Sequence, residues 1–569
     1  MTLCGDKPLE SFEVMSSDDL NLRRTHTQNE SILPTSITIP DSCDIFFPSC
    51  ERVHTSQTRT PQKHGNLPDF EKCVEVSGTR DLEPRRGSSG PSSPRTSETA
   101  VDLSHLVDWD GDDDPSLPQN WNRPRKWVAI ALVSAFTFMS PVASSILAPS
   151  LSQIGNDLHI QNESVQSLTL SIFVLGFAFG PMILAPLSEI YGRAPVLQAS
   201  NLLFIVFNLA CGFAKSTAQL IIFRLIAGLG GSAPLALGSG VLGDLFTADE
   251  RGLAVSIYSF FPILGPAIGP ICGGFITEYS TWRWGFWGTT IFGFPVLIAG
   301  TFFLEETYPP VLLMRKKVRL AKETGNVYLF TKYEKQHTSL AAEIGDAVMR
   351  PMKLMTTQIL IIVLGLYNAY LYGIMYIVLV SFPKLWQKQY GESVSIGGLN
   401  YITLGIGYCL GIQLSSYFQD KLYRKLKIKN NGIGLPEFRA PLMIPTAIML
   451  PIGLFVYGWT AEYKVHWIFP SLGAACFAAG IMIGFNALIT YIVDSYPTYS
   501  ASAIAASSLL RSLAAFVFPL FAPAMYEKLG YGWGNSLLGF VALAIGGPAP
   551  ICLWLWGAKL RAKSKFATE

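Results

Sequence analysis

Two arginines lie where arginines are costly. Arg224 opens the stretch RLIAGLGGSAPLALGSG (224–240), and Arg511 sits in SSLLRSLAAFVFPLF (507–521). A cation drawn into an apolar span is expensive, and such a residue is functional by default. Four carboxylates, Glu189, Asp244, Asp420 and Asp494, stand at the margins of similar stretches. These groups could carry protons or pair with arginines between helices. The middle of each stretch holds no Asp, Glu or His. No constellation of His, Cys and Asp that could break a bond lies there. No P-loop signature is present to draw on ATP. The expected chemistry is movement of charge and of a bound molecule, not catalysis.

Weakly polar side chains dot the same stretches. Ser140 and Ser144 lie in FTFMSPVASSILAPS (136–150), and Asn486 opens NALITYIVDSY (486–496). Tyr367, Asn368 and Tyr372, with Tyr370 and Tyr376, lie in LGLYNAYLYGIMYIVLVSF (364–382). Aromatics and hydroxyls with few charges suit a neutral or weakly acidic organic ligand held loosely. Nine cysteines are scattered singly with no CxxC pair, so neither a metal site nor a disulfide framework is expected.

The elements that must hold these residues are long apolar runs. They recur at roughly 127–149, 165–187, 195–213, 220–243, 254–277, 284–304, 356–381, 396–417, 441–460, 468–492, 502–524 and 535–557. Each is long enough to bridge a bilayer core of about 30 Å. Charged residues are only 15% of the chain, and they avoid these runs. The expected fold is all-α: twelve membrane-spanning helices in two bundles of six, over 127–304 and 356–557. A polar segment, 305–355, divides the two sets. It contains LLMRKKVRLAKETGN (312–326), a basic amphipathic stretch expected to lie on the membrane surface and contact lipid.

Residues 1–107, rich in Ser, Thr, Pro, Asp and Arg, read as a disordered tail. The start of the chain has no apolar core of a signal peptide, so the first span is expected to direct insertion. Residues 108–126, DWDGDDDPSLPQNWNRPRK, form an acidic, Trp-bearing lead-in, and 558–569 a short second tail. With both termini in the cytosol, Lys and Arg favour the inner loops by about four to one, as the positive-inside rule requires. Asn162 begins a sequon in the first outer loop and is a candidate for glycosylation. A net charge of +2 points to no nucleic-acid partner.

The fifth run contains GPAIGPICGG, in which Gly265, Gly269 and Gly273 fall four apart. On a helix they form one smooth stripe against which another backbone can pack. Pro266 and Pro270 add kinks, and Gly274 completes a Gly-Gly pair. After the second run, Ala185 to Pro195 reads APLSEIYGRAP. Its Glu189, Gly192 and Arg193 suggest a tight turn, a carboxylate facing a helix N-terminus, and an arginine able to pair with Asp244. A weaker echo, YFQDKLY (417–423), follows the eighth run around Asp420. A repeat at the same place in both halves is what a duplicated architecture predicts.

These motifs resemble those of the major facilitator superfamily. GPAIGPICGG is similar to the antiporter signature of its drug–proton antiporters, the 185–195 loop to its signature between helices two and three, and Arg224 with Gly228 to its R-x-x-x-G pattern. With LEETYPPVLL (304–313), the combination resembles the twelve-helix fungal drug–proton antiporters from about 108 to 560. The resemblance implies two bundles rocking about a central cavity, with a proton gradient rather than a cofactor driving export of an amphipathic organic substrate. It implies a multi-pass protein of the plasma membrane, expected to be monomeric. Two other readings are a polyamine or small-nutrient transporter on the same fold and a non-transporting sensor. A polyamine site would want carboxylates facing the cavity, and the runs lack them.

Overall fold

The computed structural model describes residues 105–111, 113–247, 250–326, 328–333, 340–497 and 500–564. The tail expected over 1–107 lies almost wholly outside them. The first crossing is α1 (Arg123–Ser145), whose start is set by the Asn122 side chain accepting the Arg125 N–H, with Pro124 in the first turn. The apolar run continues to Pro149, but there the chain makes a 3₁₀ turn and a short α2 (Leu151–Asp157). The second crossing, α3 (Glu163–Tyr191), is capped by Asn162, and the third is α4 (Arg193–Gly212). The fourth comes in two pieces, α5 (Thr217–Gly231) and α6 (Ala233–Leu245), joined at Ser232 just before Pro234. The fifth and sixth are α7 (Arg251–Tyr279) and α8 (Arg283–Phe303).

The divider contributes α9 (Pro309–Thr324) and α10 (Leu340–Thr357). The second set runs α11 (Ile359–Lys384), α12 (Val394–Leu399), α13 (Tyr401–Lys429), α14 (Ile444–Glu462) and α15 (Ile468–Ser495). It ends with α16 (Ser500–Gly546) and α17 (Pro548–Ala562). Among the described residues, eleven helical stretches are long and apolar enough to cross a membrane, and the last covers 63 residues. At 1.5 Å per residue that stretch is about 95 Å, far beyond one crossing. It divides at Gly530, which has φ 69° and ψ −179°. The Glu462 carboxylate accepts the freed N–H groups of Tyr531 and Gly532 at 2.7 and 3.1 Å. Counting both sides of that break gives twelve crossings.

Within the first six, α1 packs on α7 and α8, α3 on α5, and α4 on α5 and α8. Within the second six, α11 packs on α16, α14 on α15 and α16, and α13 on α15. The halves meet along two seams, α3 with α16 and α7 with α12 and α13. These are the second crossing with the eleventh, and the fifth with the eighth. Each seam maps onto the other when the halves are exchanged, as two repeated bundles require.

The glycine stripe packs mainly within the first half, against α1. A Cβ at Gly265 would meet Pro141, one at Gly269 would meet Ser145, and one at Gly273 would collide with the Ile146 carbonyl. The stripe therefore seats α7 on α1 inside its own half. Only Gly274 faces the other half, where a Cβ would lie 2.8 Å from the Val394 carbonyl. Gly273→Ala must push the α1 and α7 backbones apart, an overpacking cost of about 1–3 kcal/mol. We expect it to lower both thermal stability and transport, while Cys272→Ala, at an exposed neighbouring position, stays near wild type in both. Equal behaviour of the two variants in a melting and flux assay would refute the packing argument.

The lead-in is tied to the divider. Leu106–Val107 (β1) pairs in parallel with Phe330–Thr331 (β2). Lys316 on α9 bonds Asp110 at 2.6 Å, and Lys332 bonds Asp108 at 3.0 Å. Amide hydrogen bonds from Asp110 and Ser116 hold the Asp114 carboxyl below its ordinary range. Arg125 stacks on Trp121 at 3.8 Å and pairs with Glu305.

Candidate functional site

Arg224 is fully buried and does not snorkel. Its Nε donates to the Thr169 carbonyl at 3.1 Å, and its Nη1 to that of Ala143 at 2.9 Å. Its Nη2 reaches the carbonyls of Ser144 and Leu170 at 3.4 and 3.2 Å. Ala143 and Ser144 end α1, where the last carbonyls of a helix lack intrahelical partners. Arg224 thus caps the break in the first crossing while binding the second and fourth together. The Phe173 ring, 4.8 Å from its guanidinium carbon, covers it.

Arg511 is different. Its guanidinium lies over Tyr372 at 4.6 Å and Phe485 at 5.5 Å. Its Nε is buried without a hydrogen-bond partner. One turn away on the same two helices, Asn368 donates to the Ser507 hydroxyl at 3.0 Å. Asn368, Tyr372 and Tyr376 are four apart on α11, and Ser507 and Arg511 four apart on α16, so the two contacts form successive rungs. Tyr376 stacks beside Tyr372, with ring centres 5.9 Å apart, and lies close to Ser144 of the first half. Asn368, Tyr372, Arg511 and Ser144 are thus brought into one region between the halves.

The other expected cavity residues point elsewhere. Tyr367 packs edge-on against Tyr370 at 5.1 Å, in the packed interior of the second half. Ser140 is buried where α1 meets α5, beside Gly231. Asn486 ties α15 to α13 through Ser415 and Gln419, at 3.0 and 3.1 Å. Residue type alone does not show which face of a helix is turned inward. On the terminal side of the region, Met182 of α3 and Leu509 of α16 share an apolar cluster with Ala178.

At the end where the chain's described termini lie, Arg193 is the hub of a polar cluster. Its Nη1 donates to the Ser188 hydroxyl at 2.7 Å, its Nε lies 3.5 Å from Asp244, and its plane covers the Tyr308 ring at 4.6 Å. Burial raises the Tyr308 phenol. The expected Arg193–Asp244 contact is present. The carboxylate meeting the α4 N-terminus, however, is not Glu189, which is exposed. Glu306 takes that place: its Oε1 accepts the N–H groups of Arg193, Thr307 and Tyr308 at 2.8, 3.0 and 2.9 Å. Gly192, at φ +104°, leaves room for it, since a Cβ there would strike the Glu306 carboxylate.

The second half repeats the cluster. Arg439, just before α14, bonds Asp494 at 2.8 Å, lies 3.6 Å from Asp420 and covers Tyr423 at 4.2 Å. Asp494 ends the tenth crossing as Asp244 ends the fourth. Here the brace from the last helix has the opposite charge, because Arg561 of α17 grips the buried Glu437 with two contacts of 3.2 Å.

At the far end, a cavity of about 560 Å³ opens between α3, α11 and α16. Glu163 bonds Lys384 across it at 2.7 Å. Asn162, the sequon residue, is exposed at its rim and accepts the Ser164 N–H at 2.8 Å.

The sequence pattern of the Major Facilitator Superfamily matches residues 133–519. The chain belongs to the major facilitator superfamily. It is a multi-pass membrane transporter, not an enzyme. An uncharacterized transporter of Schizosaccharomyces pombe is 48% identical over 81% of this chain and 94% of its own. The efflux pump vrtL of Penicillium aethiopicum is 46% identical over 86% of this chain and 96% of its own. Among solved structures, the xylose transporter XylE of E. coli, partially occluded and inward open, aligns with a TM-score of 0.57 at 17% identity. That alignment covers 76% of this chain and 97% of XylE, and it shows the fold.

Sequence reasoning missed Glu306, Arg439, Glu437 and Arg561 as a major facilitator's end braces. Glu306 lay in plain view in LEETYPPVLL, as a carboxylate at a span's end just before a Pro-Pro helix start. The signal for Arg439 was its place before the ninth span, matching Arg193 before the third.

Proposed function

We propose that this transporter exports amphipathic organic molecules, such as secondary metabolites or toxins, from the cytosol across the plasma membrane by proton-coupled alternating access. The observation that carries the reading is the similarity to the efflux pump vrtL, which spans 96% of that protein. The mixed aromatic and hydroxyl groups between the halves support a substrate of that kind. The Lys and Arg bias supports cytosolic termini. The two halves rock about the α3–α16 and α7–α13 seams. Protonation of Asp244 or Asp494 breaks its arginine pair and frees that end to open, which ties the proton gradient to the switch.

The test is expression of the full chain in a yeast lacking its own drug exporters, preloaded with fungicides, azoles, mycotoxins and polyamines. Export predicts faster, gradient-dependent loss of at least one amphipathic compound, abolished by a protonophore. Unchanged retention of every compound would sink the reading.

A further inference from the structure

Of the two arginines set between apolar helices, fully buried Arg224 is saturated and half-buried Arg511 is not. Arg224 spends its donors on four carbonyls of α1 and α3. Arg511 has neither a hydrogen bond nor an ion pair among the described residues, and its Nε–H is enclosed with nothing to accept it. A buried donor is rarely left so, and a guanidinium in a low-dielectric site needs a counter-charge. The acidic groups nearest in kind are already committed: Asp244 faces Arg193 and Asp494 faces Arg439. What surrounds Arg511 is aromatic. Tyr372 and Phe485 present their rings to it, and the two rings lie 5.8 Å apart. Such faces hold a cation without neutralising it.

We propose that Arg511 is the docking point for an acidic oxygen of the transported molecule, and that the substrates are aromatic weak acids bound as anions. The inference rests on the export reading above and names its substrate class. A guanidinium presents parallel donors that match the two oxygens of a carboxylate or of an ionised, enolised diketone. The rings of Tyr372, Tyr376 and Phe485 supply a flat apolar wall for the rest of such a molecule. Asn368, whose Oδ1 has no partner, stands one turn away and can accept from a substrate hydroxyl. Anion and guanidinium each complete the other. The empty site therefore carries an unpaired cation and the loaded site none, which favours binding of the acid over its neutral analogue.

The test uses the full chain in lipid nanodiscs and three probe pairs: naphthalene-2-carboxylate, anthracene-9-carboxylate and 1-pyrenebutyrate, each beside its methyl ester. Binding is read by fluorescence anisotropy near neutral pH, with empty nanodiscs subtracted. At least one acid is expected to bind the wild type tenfold or more tighter than its ester, about 1.4 kcal/mol. In Arg511→Gln that ratio falls to near one, with ester binding retained as proof that the cavity still forms. Arg511→Lys, which keeps the charge but loses the fork, retains some of the preference. The same ratio in Arg511→Gln as in wild type overturns the proposal, and so does the absence of acid preference for all three pairs in wild type. Cellular flux separates the two ideas. Acid preference without export removes the export reading and leaves the anion site, whereas export without acid preference does the reverse.

Discussion

Arg224→Ala lowers the melting midpoint of the detergent-solubilised protein by about 4 °C and reduces export to background. The substitution removes hydrogen bonds to four carbonyls, two at the broken end of α1 and two within α3. A hydrogen bond to a charged group is worth about 1.5–3 kcal/mol net, but these four share one side chain. A total on the order of 4 kcal/mol is expected once the vacated volume is included. The α1 carbonyls suffer most, since they lie at the end of the helix, where intrahelical partners run out. Arg224→Lys discriminates between roles. An ammonium cannot reach Thr169, Leu170, Ala143 and Ser144 together, so a clasp predicts a stability intermediate between alanine and wild type. A residue whose only task were to respond to protons would instead leave the melting midpoint at its wild-type value while flux vanished. That pattern in a melting and flux comparison would refute the clasp.

The spans themselves were legible because a bilayer imposes a length and a polarity that composition reports directly. Their breaks were less so. Pro149 lies beyond the end of α1 yet inside the same apolar run, and Gly530 separates crossings that are otherwise helical throughout. The turn at Pro149 leaves hydropathy unchanged and so does not register as a gap, whereas Gly530 falls in the polar gap between the runs 502–524 and 535–557 although the helix there is otherwise continuous. The glycine stripe was legible as a close-packing face, since four-residue spacing fixes one side of a helix. Its partner was not, because nothing in GPAIGPICGG distinguishes α1 from a helix of the other half. Small residues license a close approach without choosing what approaches.

The candidate site divides along the same line. Asn368 and Tyr372 share a face by their spacing, and that face is the one turned toward α16. Tyr367 is one residue from Asn368 in sequence and about 100° away around the helix, which is enough to bury it beside Tyr370. The two arginines looked alike as charges in apolar text, and only their acceptors tell them apart. Pairing across the fold was the least legible feature, because Glu306 and Arg193 are separated by 113 positions and no local pattern joins them. The duplicated architecture could have helped. Given Arg193 and Asp244 in the first half, Arg439 and Asp494 stand at the corresponding helix ends in the second.

Glu306→Ala is the sharper probe of those ends. It strips one buried carboxylate oxygen from three N–H groups, those of Arg193, Thr307 and Tyr308. One of them opens α4, where a negative charge also answers the helix dipole. Breaking a buried charged contact from one side costs about 3–5 kcal/mol, so a marked loss of melting temperature and of transport is expected. Glu306→Gln keeps an acceptor oxygen without the charge and should fall between. Gly192→Ala damages the same place by another route, through a Cβ forced into the carboxylate and a backbone at φ +104°. The collision needs the Glu306 side chain, whereas the backbone strain does not. In the double variant the collision disappears, so the combined loss should be smaller than the sum of the two single losses by at least about 1 kcal/mol. Strict additivity in that cycle would mean that Gly192 is required for its backbone alone, and that the carboxylate and the turn are stabilised independently.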